Sequence, residues 1–600
     1  MWRPSAPPYE DDKHSLDASS PRFETEEGGK PGIRLLGNVD QSQGIARIEA
    51  INAELTPVLR FFLFLGAFLV AYTYSLDATV RGTLQTYATN DFDNHSLLAT
   101  VNVLKAIVAA TSYPVYAKIA DTFGHIEIVC FSIVMYVVGT IVESQAHGME
   151  TFCAGAVLWQ FGYSASILIV EIIISDLTSL RSRLFYSYLP ALPFLVNTWV
   201  SGDIVSATYD GIGWRAGIGL WAGVYPAACC CILVPLFIAQ RRARKASTLD
   251  GYLTPYKQVG AKKLAINLFH ELDLVGSFLL LASLILVLLP FTLAGGVSSQ
   301  WKTGKVLGML IVGLVVAVPA FIVWELKFAK VPAVPFHLLN NRTVLGCLGL
   351  AVSLNLGWYM QGDYLYTVLV VAMNESAKSA TRIASLYSFT SVITGTICGL
   401  VVRFVLPRLK LFIIAGVCSW FIAFGLLINY RGGDGSHSGI IGAQVVLGVA
   451  GGLYPYPAQT LIQTAGQHQH TAILLSLYLA TYNVGSALGG AISGAIWTQV
   501  LPGKLEQALG GNMTDVAIAY GSPLSWILEN TWETAQRQAA VEAWRHVQKL
   551  LCITGICFAV PTLFFALILK DPKLGKEQSL PEAEGGRKVG NVVKVDRTSA

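Results

Sequence analysis

Residues 273–294 read DLVGSFLLLASLILVLLPFTLA, and after Asp273 the stretch contains no charged residue. An apolar α-helix of about 20 residues crosses the roughly 30 Å hydrocarbon core of a bilayer, because each residue adds about 1.5 Å along the helix axis. The stretch therefore predicts a helix that spans a membrane.

Apolar blocks of similar length recur along the whole chain. They predict an all-α polytopic membrane protein with fourteen spanning helices, surrounded by a lipid bilayer. The blocks are 58–80, 97–117, 126–145, 151–173, 185–206, 215–238, 273–294, 305–325, 344–371, 383–405, 410–429, 438–463, 471–500 and 547–569.

The amino-acid composition excludes a soluble multidomain protein. Hydrophobic residues make up 53% of the 600 residues and charged residues only 13%, against about 25% charged residues in ordinary soluble domains. Few charges are left to cover a soluble surface. The net charge of +4 does not indicate nucleic-acid binding, because the basic residues lie in loops between apolar blocks.

The ten cysteines all lie in or at the ends of apolar blocks, which argues against a disulfide framework. No set of Cys, His and carboxylate residues has the spacing of a metal site. The consecutive Cys229–Cys231 point in different directions on a helix. We therefore expect no metal site, no cofactor and no catalytic residues, hence a protein that is not an enzyme, and no obligate protein partner is evident.

The polar segments divide the chain into two six-helix bundles plus two extra helices. A long basic linker in the middle is typical of transporters built from two such halves. The predicted parts are a disordered tail at 1–57, a first bundle at 58–238, a linker at 239–272, two extra helices at 273–325, a second bundle at 326–569 with a long outer loop at 501–546, and a tail at 570–600.

Basic residues and glycosylation sequons give one orientation. Lys and Arg concentrate in loops that share one side, which predicts that this side and both termini are cytoplasmic. The sequons at Asn94, Asn374 and Asn512 all fall on the outer side, where glycosylation occurs, whereas the sequon at Asn341 falls inside. We favour the plasma membrane, and an endosomal or vacuolar membrane stays open.

Among the charged residues of the apolar blocks, the candidates for a position within the membrane are Asp77, Lys105, Glu171, Asp203 and Asp363. A charge at the centre of a spanning helix costs about 2.5–3.5 kcal/mol on insertion scales, so each is a candidate functional residue. We place Asp77 and Asp203 within about a turn of the outer end, where simple exposure is the alternative. Lys105 must find an anion or snorkel. Asp77 is close enough in depth to be its partner, either as a structural ion pair or as a pair that gates the carrier or couples protons.

Asp363 lies in a polar, aromatic run from Trp358 to Tyr366. Such a run does not suit a lipid-facing helix, so it predicts a cavity lining, with ordinary packing as the alternative for the aromatic residues. Their flat faces and hydroxyls suit a bulky ligand. The substrate-binding candidates are Trp358, Tyr359, Asp363, Tyr364, Tyr366, Tyr456, Asn483, Trp526 and Trp544.

The loop after the second block reads YAKIADTFGH at 116–125 and resembles the cytoplasmic signature of the major facilitator superfamily. Asp121 and Gly124 match that signature, but His125 stands in place of its Arg, so the basic part of the inner gate is expected from the next cytoplasmic loop. The residues expected to couple protons or gate the carrier are Asp77, Lys105, Asp121, Glu171, Asp176, Arg181, Arg183 and Asp203.

Further segments are similar to the fungal siderophore–iron transporter family of that superfamily. They read YSLDATVR at 74–81, EIIISDLTSLR at 171–181, YPAQ at 456–459, YNVGSAL at 482–488, GAIWTQVLP at 494–502, SPLSW at 522–526 and VEAWRHVQ at 541–548. The resemblance covers roughly residues 58–570. It implies proton-driven uptake of ferric siderophores, although some relatives carry haem and others exchange glutathione for protons.

A fourteen-helix drug–proton antiporter is the main competing interpretation. LDATV at 76–80 overlaps the first-helix pattern of that group, but the chain then continues RGTL instead of Asn-x-Ala-Leu-Pro. The fifth block reads LPALPFLVN at 189–197 and lacks the glycine-rich run of the antiporters. Both differences count against efflux.

The outer loop at 501–546 is too long for a simple connector. Thr531 is a possible helix cap, and the following segment to Lys549 contains neither Gly nor Pro. We expect a helix that forms a lid or first contact for a large ligand, with Trp526 and Trp544 near the entrance. A surface helix that only leads into the last spanning block is the alternative.

Overall fold

The structure, a computed structural model, describes residues 51, 54–246, 255–332, 339, 341–430, 436–466 and 471–575. The predicted tails and the central linker therefore lie largely or partly outside the described residues. Every regular element in the described part is helical. Helices suit a bilayer because they satisfy their own backbone hydrogen bonds where no water is present.

The helices that precede the linker pack against one another and form a first group. They are α1 (Pro57–Asp91), α2 (Leu98–Phe123), α3 (His125–Ser144), α4 (Met149–Leu177), α5 (Leu180–Ser187), α6 (Phe194–Gly211), α7 (Gly213–Gly219) and α8 (Trp221–Lys245).

A second group is formed by the helices of the last part of the chain. They are α13 (Arg342–Gly362), α14 (Leu365–Ala372), α15 (Ala377–Phe404), α16 (Lys410–Asn429), α17 (Ser436–Leu453), α18 (Pro455–Ile462), α19 (Thr471–Ala508), α20 (Met513–Gly521), α21 (Pro523–Glu529) and α22 (Ala535–Ile568).

Between the groups in sequence lie α9 (Pro255–Glu271), α10 (Leu274–Leu293), α11 (Gly304–Val312) and α12 (Val318–Val323), the last two joined by a π-helical turn at Gly313–Ala317. Helix α10 packs against both α2 and α19. The hydroxyl of Thr100 in α2 donates to the hydroxyl of Thr292 in α10 at 2.9 Å. Leu314, Val315 and Val316 are exposed, as expected for residues that face lipid.

Thirteen helices in the described residues are long and apolar enough to cross a membrane, so the predicted count of fourteen is not confirmed. The difference lies at 185–206, which does not form one continuous helix. Helix α5 ends at Ser187, a short 3₁₀ turn follows at Leu189–Ala191, and α6 begins at Phe194. Pro190 and Pro193 explain the break, because proline cannot continue the hydrogen-bond ladder of a helix.

Several helices are longer than the apolar blocks that predicted them. The block at 58–80 becomes α1, which continues to Asp91, so Asp77 lies in the middle of a helix and is fully buried. The prediction that Asp77 lies near the outer end is therefore wrong. Apolarity alone marked only part of α1, because its later turns carry polar residues that face the protein interior.

The outer loop is largely helical. Helix α19 continues to Ala508, α20 and α21 follow, and α22 begins at Ala535. The cap of α22 is Thr534, whose hydroxyl accepts from the amide of Arg537 at 3.4 Å, and not the predicted Thr531.

Helices α2 and α19 form one seam between the two groups, and α6 and α15 form another. Small residues allow the first seam to close tightly. A Cβ atom at Gly490 would lie 2.9 Å from Val103, and one at Gly494 would lie 2.9 Å from Ala99. In a bilayer, such close approach supplies the packing energy that holds helices together.

The first prediction concerns glycosylation. The connectors that carry Asn94, Asn374 and Asn512 share one end of the molecule, because Arg537 donates to Asn374 and Ser522 donates to Asp93. We expect replacement of each of these asparagines by Gln to remove one glycan, measured as an endoglycosidase-sensitive mobility step. Asn341→Gln should change nothing, and a lost step in that variant would contradict the orientation.

Candidate functional site

A buried ion cluster lies inside the first group of helices. The Arg81 guanidinium in α1 donates from Nε to Asp77 Oδ1 at 3.0 Å and from Nη2 to Oδ2 at 2.9 Å. Its Nη1 donates to Glu143 near the end of α3, and Nη2 also reaches Thr140 at 3.1 Å. Arg81, Asp77 and Glu143 are at most 2% exposed, so one cation lies between two anions away from water.

Asp77 has further partners. The Tyr136 hydroxyl and the Trp159 indole, the latter at 3.2 Å, both donate to Oδ2 of Asp77. The guanidinium of Arg81 lies 4.7 Å from the centre of the Trp159 ring. The predicted pairing of Asp77 with Lys105 is wrong, because Arg81, four residues along the same helix, is closer. The bonds of the Asp77 carboxylate therefore hold three helices together, α1, α3 and α4.

Lys105 begins a hydrogen-bond chain that crosses between the groups. Its ammonium donates to Gln85 Oε1 at 2.7 Å, and Gln85 Nε2 donates to Asn102 Oδ1 at 3.1 Å. Asn102 Nδ2 donates to Asp363 Oδ1 at 2.8 Å, and the Ser493 hydroxyl donates to Asp363 Oδ2 at 2.6 Å. The chain thus joins α1 and α2 of the first group to the end of α13 and to α19.

Tyrosines from both groups surround the centre of the molecule. Tyr482 in α19 lies within electrostatic range of Tyr113 and Tyr163 in the first group and of Tyr359 and Tyr456 in the second. Four of these five side chains, all but Tyr113, keep part of their surface accessible although they face the interior. Partial accessibility of side chains between the two groups indicates a central cavity that these residues border.

Other predicted binding residues lie at the same cavity. Trp358 contacts Tyr359 with ring centres 5.1 Å apart and Tyr387 at 6.2 Å, and its indole nitrogen has no hydrogen-bond partner among the described residues. Asn483 is partly accessible, and its amide donates to the Leu479 carbonyl of its own helix at 2.8 Å. The cavity wall thus combines aromatic faces with hydroxyl, indole and amide groups.

Glu171 lies between the two groups of helices, on the side of the cavity that is predicted to face the cytoplasm. It is 6% exposed, and Gln459 Nε2 in α18 donates to its Oε2 at 3.1 Å. One turn further along α4, the Ser175 hydroxyl donates to Gln463 at 3.2 Å. Helix α4 is therefore tied to the second group by two glutamines one turn apart.

The inner end of the molecule carries the predicted gating residues. Arg183 donates to Gln463 Oε1 at 3.2 Å, and burial lowers the pKa of its guanidinium to about 10 while Asp176 acts in the opposite direction. Arg181 donates to the Arg403 carbonyl at 2.6 Å, and His125 lies 3.7 Å from Asp176. The contacts of Arg183 and Arg181 join the first group to the second, whereas His125 and Asp176 both belong to the first group. Asp121 lies in the last turn of α2 and not in the predicted loop.

The outer end is closed by separate contacts. Asp203 in α6 pairs with Lys378 and with Arg382, the latter at 2.9 Å, across the α6–α15 seam, and its carboxylate is 51% exposed as expected at an interface. The hydroxyls of Tyr87 and Tyr366 lie 2.8 Å apart across the groups. Tyr366 therefore closes the outer side of the seam.

The outer loop also fastens the groups together. Asn90 near the end of α1 donates to the Ser525 hydroxyl at 2.9 Å and accepts from the Leu524 amide at 3.0 Å. Trp526 and Trp544 lie with ring centres 5.8 Å apart and are at most 2% exposed. Both rings lie in an apolar cluster beneath the loop, and their predicted place near the entrance for a ligand stays a prediction.

Tyr364 belongs to that cluster as well. Its ring stacks on Trp497 with centres 3.9 Å apart, and it is 1% exposed. Its neighbour Asp363, by contrast, is partly accessible from the interior. The aromatic run therefore divides, with Trp358 to Asp363 at the cavity and Tyr364 in the outer packing.

No cluster of three or more His, Cys, Asp or Glu residues in the described residues could hold a metal ion.

The sequence did not single out several residues of the site. Arg81 and Glu143 lay at or beyond the ends of predicted blocks, where charged residues are unremarkable. Gln85, Asn102 and Ser493 are uncharged, so the search for intramembrane charge did not find them. A search for polar residues of any kind at helical spacing would have marked Asp77, Arg81 and Gln85 on one face of a helix.

The chain is similar in sequence to several known fungal transporters. The chain is 43% identical over 539 residues to siderophore iron transporter 1 of Saccharomyces cerevisiae, covering 88% of the chain and 85% of that protein. It is 41% identical to siderophore iron transporter ARN1 of the same yeast, covering 88% and 85%, and 30% identical to siderophore iron transporter mirC of Emericella nidulans, covering 90% and 89%. No protein-family model matches the chain.

Among solved structures, the chain is similar to a bacterial homologue of the human lysosomal transporter Spinster in an inward-facing, unoccupied conformation. The TM-score is 0.52 at 14% identity, covering 86% of the chain and 98% of that structure. At this identity the similarity shows the fold alone.

The buried ion cluster gives a stability prediction. Arg81→Ala leaves two buried carboxylates without their cation, which should lower the free energy of unfolding by about 3–5 kcal/mol. Arg382→Ala breaks the exposed outer pair and should cost less than about 1 kcal/mol. Detergent-denaturation curves of the purified proteins measure both values.

The triple variant Arg81→Met, Asp77→Asn, Glu143→Gln tests the cause. It removes the unpaired charges, so it should recover much of the stability lost in Arg81→Ala. Equal losses for Arg81→Ala and Arg382→Ala would show that the cluster does not hold the helices together.

Proposed function

Because the chain belongs to the fungal siderophore iron transporter family and has the fold of the major facilitator superfamily, we propose that it carries ferric siderophores into the cell together with protons. It acts as a secondary active carrier and not as an enzyme. The two groups of helices part alternately at the outer and the inner end of the central cavity.

The tyrosine-lined cavity is the observation that carries this proposal. A ferric siderophore is a bulky complex whose iron is wrapped by the chelator, so a carrier meets the chelator and not the ion. Aromatic faces bind its hydrocarbon portions, and hydroxyl, indole and amide groups bind its oxygen atoms. Tyr163 and Tyr482 come from different groups, so a bound ligand contacts both sides of the seam.

The charge of the interior favours an uncharged complex. Away from the inner-end and outer-end contacts, the described interior of the two groups carries four carboxylates, Asp77, Glu143, Glu171 and Asp363, with two cations, Arg81 and Lys105. An anionic complex would meet repulsion from the excess negative charge in a medium of low dielectric constant. Ferric tris-hydroxamates are uncharged, whereas ferric tris-catecholates carry several negative charges, so hydroxamate siderophores fit better.

Proton coupling is supported by carboxylates between the groups. Glu171 bonds to α18 of the second group, and Asp363 bonds to α2 of the first. A proton that enters down 100 mV supplies about 2.3 kcal/mol, before any pH gradient is counted. Asp77 is less suited to cycling, because Arg81, Tyr136 and Trp159 already bond to it.

The orientation proposed from the basic loops completes the scheme. Both termini lie in the cytoplasm, and the plasma membrane is the proposed location, where a carrier meets external siderophores. The outer loop over α1 is then the first part of the protein that an incoming siderophore reaches.

Uptake measurements test the proposal directly. A host strain that lacks its own siderophore carriers should accumulate radio-iron from ferrichrome when it expresses the chain. Uptake of ferric enterobactin, a tris-catecholate, should be at least about tenfold lower, corresponding to about 1.4 kcal/mol of discrimination. A proton uncoupler should abolish accumulation of ferrichrome iron.

A control and a refuting outcome separate the alternatives. Free radio-iron supplied without chelator measures background entry. Absence of uptake from every siderophore, combined with resistance to drugs or with uptake of haem, would refute the proposed substrate.

A cavity variant tests the binding surface. Tyr482→Ala removes a ring that faces both groups, so we expect KM for siderophore uptake to rise about tenfold or more, equivalent to about 1.4 kcal/mol of lost contact. Tyr482→Phe keeps the ring and should change KM less. Initial rates at matched protein levels give both values, and an unchanged KM in Tyr482→Ala would place the substrate elsewhere.

A further inference from the structure

The hydrogen-bond chain between Lys105 and Asp363 has a fixed direction. An ammonium group can only donate, so Gln85 must present its oxygen to Lys105. The amide nitrogen of Gln85 then faces the oxygen of Asn102, and the amide nitrogen of Asn102 faces Asp363. Neither amide can turn over without placing one donor against another. The chain of hydrogen bonds therefore ends at Oδ1 of Asp363, which must act as a hydrogen-bond acceptor.

The other oxygen of Asp363 faces a group that can change its role. The Ser493 hydroxyl donates to Asp363 Oδ2 at 2.6 Å, and the Gly490 carbonyl lies 3.2 Å from the same hydroxyl oxygen. A serine hydroxyl can both donate and accept. Ser493 can therefore turn its hydrogen to Gly490 and accept a hydrogen from Asp363 instead.

We propose that Asp363 is the carboxylate that binds the transported proton, and that its protonation weakens the bond by which α13 is held to α2. The proposal rests on the proton-coupled function above and names the site within it. Asp363 is at the same time the end of the bond chain and a wall residue of the cavity, so proton binding and the state of the seam meet at one group.

The proton has a defined position in this scheme. It binds Oδ2, the new hydroxyl donates to Ser493, and Ser493 donates to Gly490. Oδ1 still accepts from Asn102, but the acceptor is now neutral. Hydrogen bonds to an ionised acceptor are roughly twice as strong as neutral ones. Protonation therefore weakens the link between α2 and α13 without leaving any buried donor or acceptor unpaired.

The surroundings of Asp363 contain one opposing charge. In the part of the chain that the structure describes, Lys105 of α2 is the charged group that faces it, Ser493 is its partner on α19, and Tyr359 and Tyr364 lie beside it in sequence. From α22, the amide of Gln548 donates to the Gln361 carbonyl at 3.0 Å. Loss of charge at Asp363 therefore removes the attraction between Lys105 and α13.

Lys105 keeps its other partners when this happens. It remains bonded to Gln85 and lies within electrostatic range of Glu143 and Asp77 in its own group. The first group thus keeps its charge balance, while its connection to the second group weakens. Such a change favours parting of the two groups.

An isosteric variant mimics the protonated state. In Asp363→Asn, the amide oxygen accepts from Asn102 and the amide nitrogen donates to Ser493. We test the purified full-length protein in proteoliposomes with radio-iron ferrichrome, both as exchange against unlabelled ferrichrome and as accumulation driven by a pH gradient. A one-unit gradient supports up to about tenfold accumulation in a coupled carrier.

We expect wild type to exchange and to accumulate, and Asp363→Asn to retain measurable exchange, whatever its rate, while its accumulation falls to none. Glu506→Gln replaces an exposed carboxylate on the same helix as Ser493 and should behave like wild type. Accumulation by Asp363→Asn at the wild-type level would overturn the proposal. So would separation of exchange from accumulation by Glu171→Gln and not by Asp363→Asn.

A second measurement needs no substrate. The distance between spin labels at the outer ends of α2 and α14 reports how far the first group lies from the second at that end. We expect acidification to widen the wild-type distance, and Asn102→Leu, which breaks the bond without touching Asp363, to give the wide distance already at neutral pH. If acidification changes the label distance in both Asp363→Asn and Asn102→Leu as it does in wild type, the proposal is overturned. This result does not depend on the transport activity of either variant.

The transport and label measurements together distinguish the proposed substrate from the proposed proton site. If no siderophore is exchanged or taken up by wild type, but the label distance still responds to acid through Asp363, the proposed substrate is wrong and the proton site stands.

Discussion

Water is absent from the hydrocarbon core, so each polar group that a helix carries into it must find its partner inside the protein. Arg81 shows how strongly this constraint acts, because its guanidinium is bonded to Asp77, Glu143 and Thr140 and lies over Trp159. The first group is organised around this cluster. Glu171 and Asp363 lie outside this cluster and bond across the seam instead.

The two ends of the seam are held by different chemistry. At the inner end, glutamine amides on α18 and the turn after it bond to α4 and α5, and these are neutral or singly charged bonds of modest strength. At the outer end, exposed ion pairs, a pair of tyrosine hydroxyls and the loop over Asn90 act together. Many weak contacts can be exchanged one at a time, which suits a carrier that opens and closes in every cycle.

The sequence was enough to predict the helical membrane architecture, since blocks of apolar residues follow directly from the thickness of a bilayer. It located Asp363 and Glu171 correctly as interior residues, because intramembrane charge is rare. The predicted helix ends were wrong where polar residues extend a helix beyond its apolar block. The later turns of α1 carry Arg81 and Gln85, so the block ended early and Asp77 was placed at the wrong depth. Partners such as Asn102 and Gln459 depend on which helices are neighbours, and one sequence does not contain that information in a local pattern.

Helix α10 touches both α2 and α19, and it therefore bridges the two sides of one seam. The α6–α15 seam has no such bridge among the described helices. A motion that parts the groups equally on both sides would have to tear α10 from one of its partners. Separation at the α6–α15 seam breaks no contact of α10 with α2 or α19, so the position of α10 favours opening on the side where Asp203 lies.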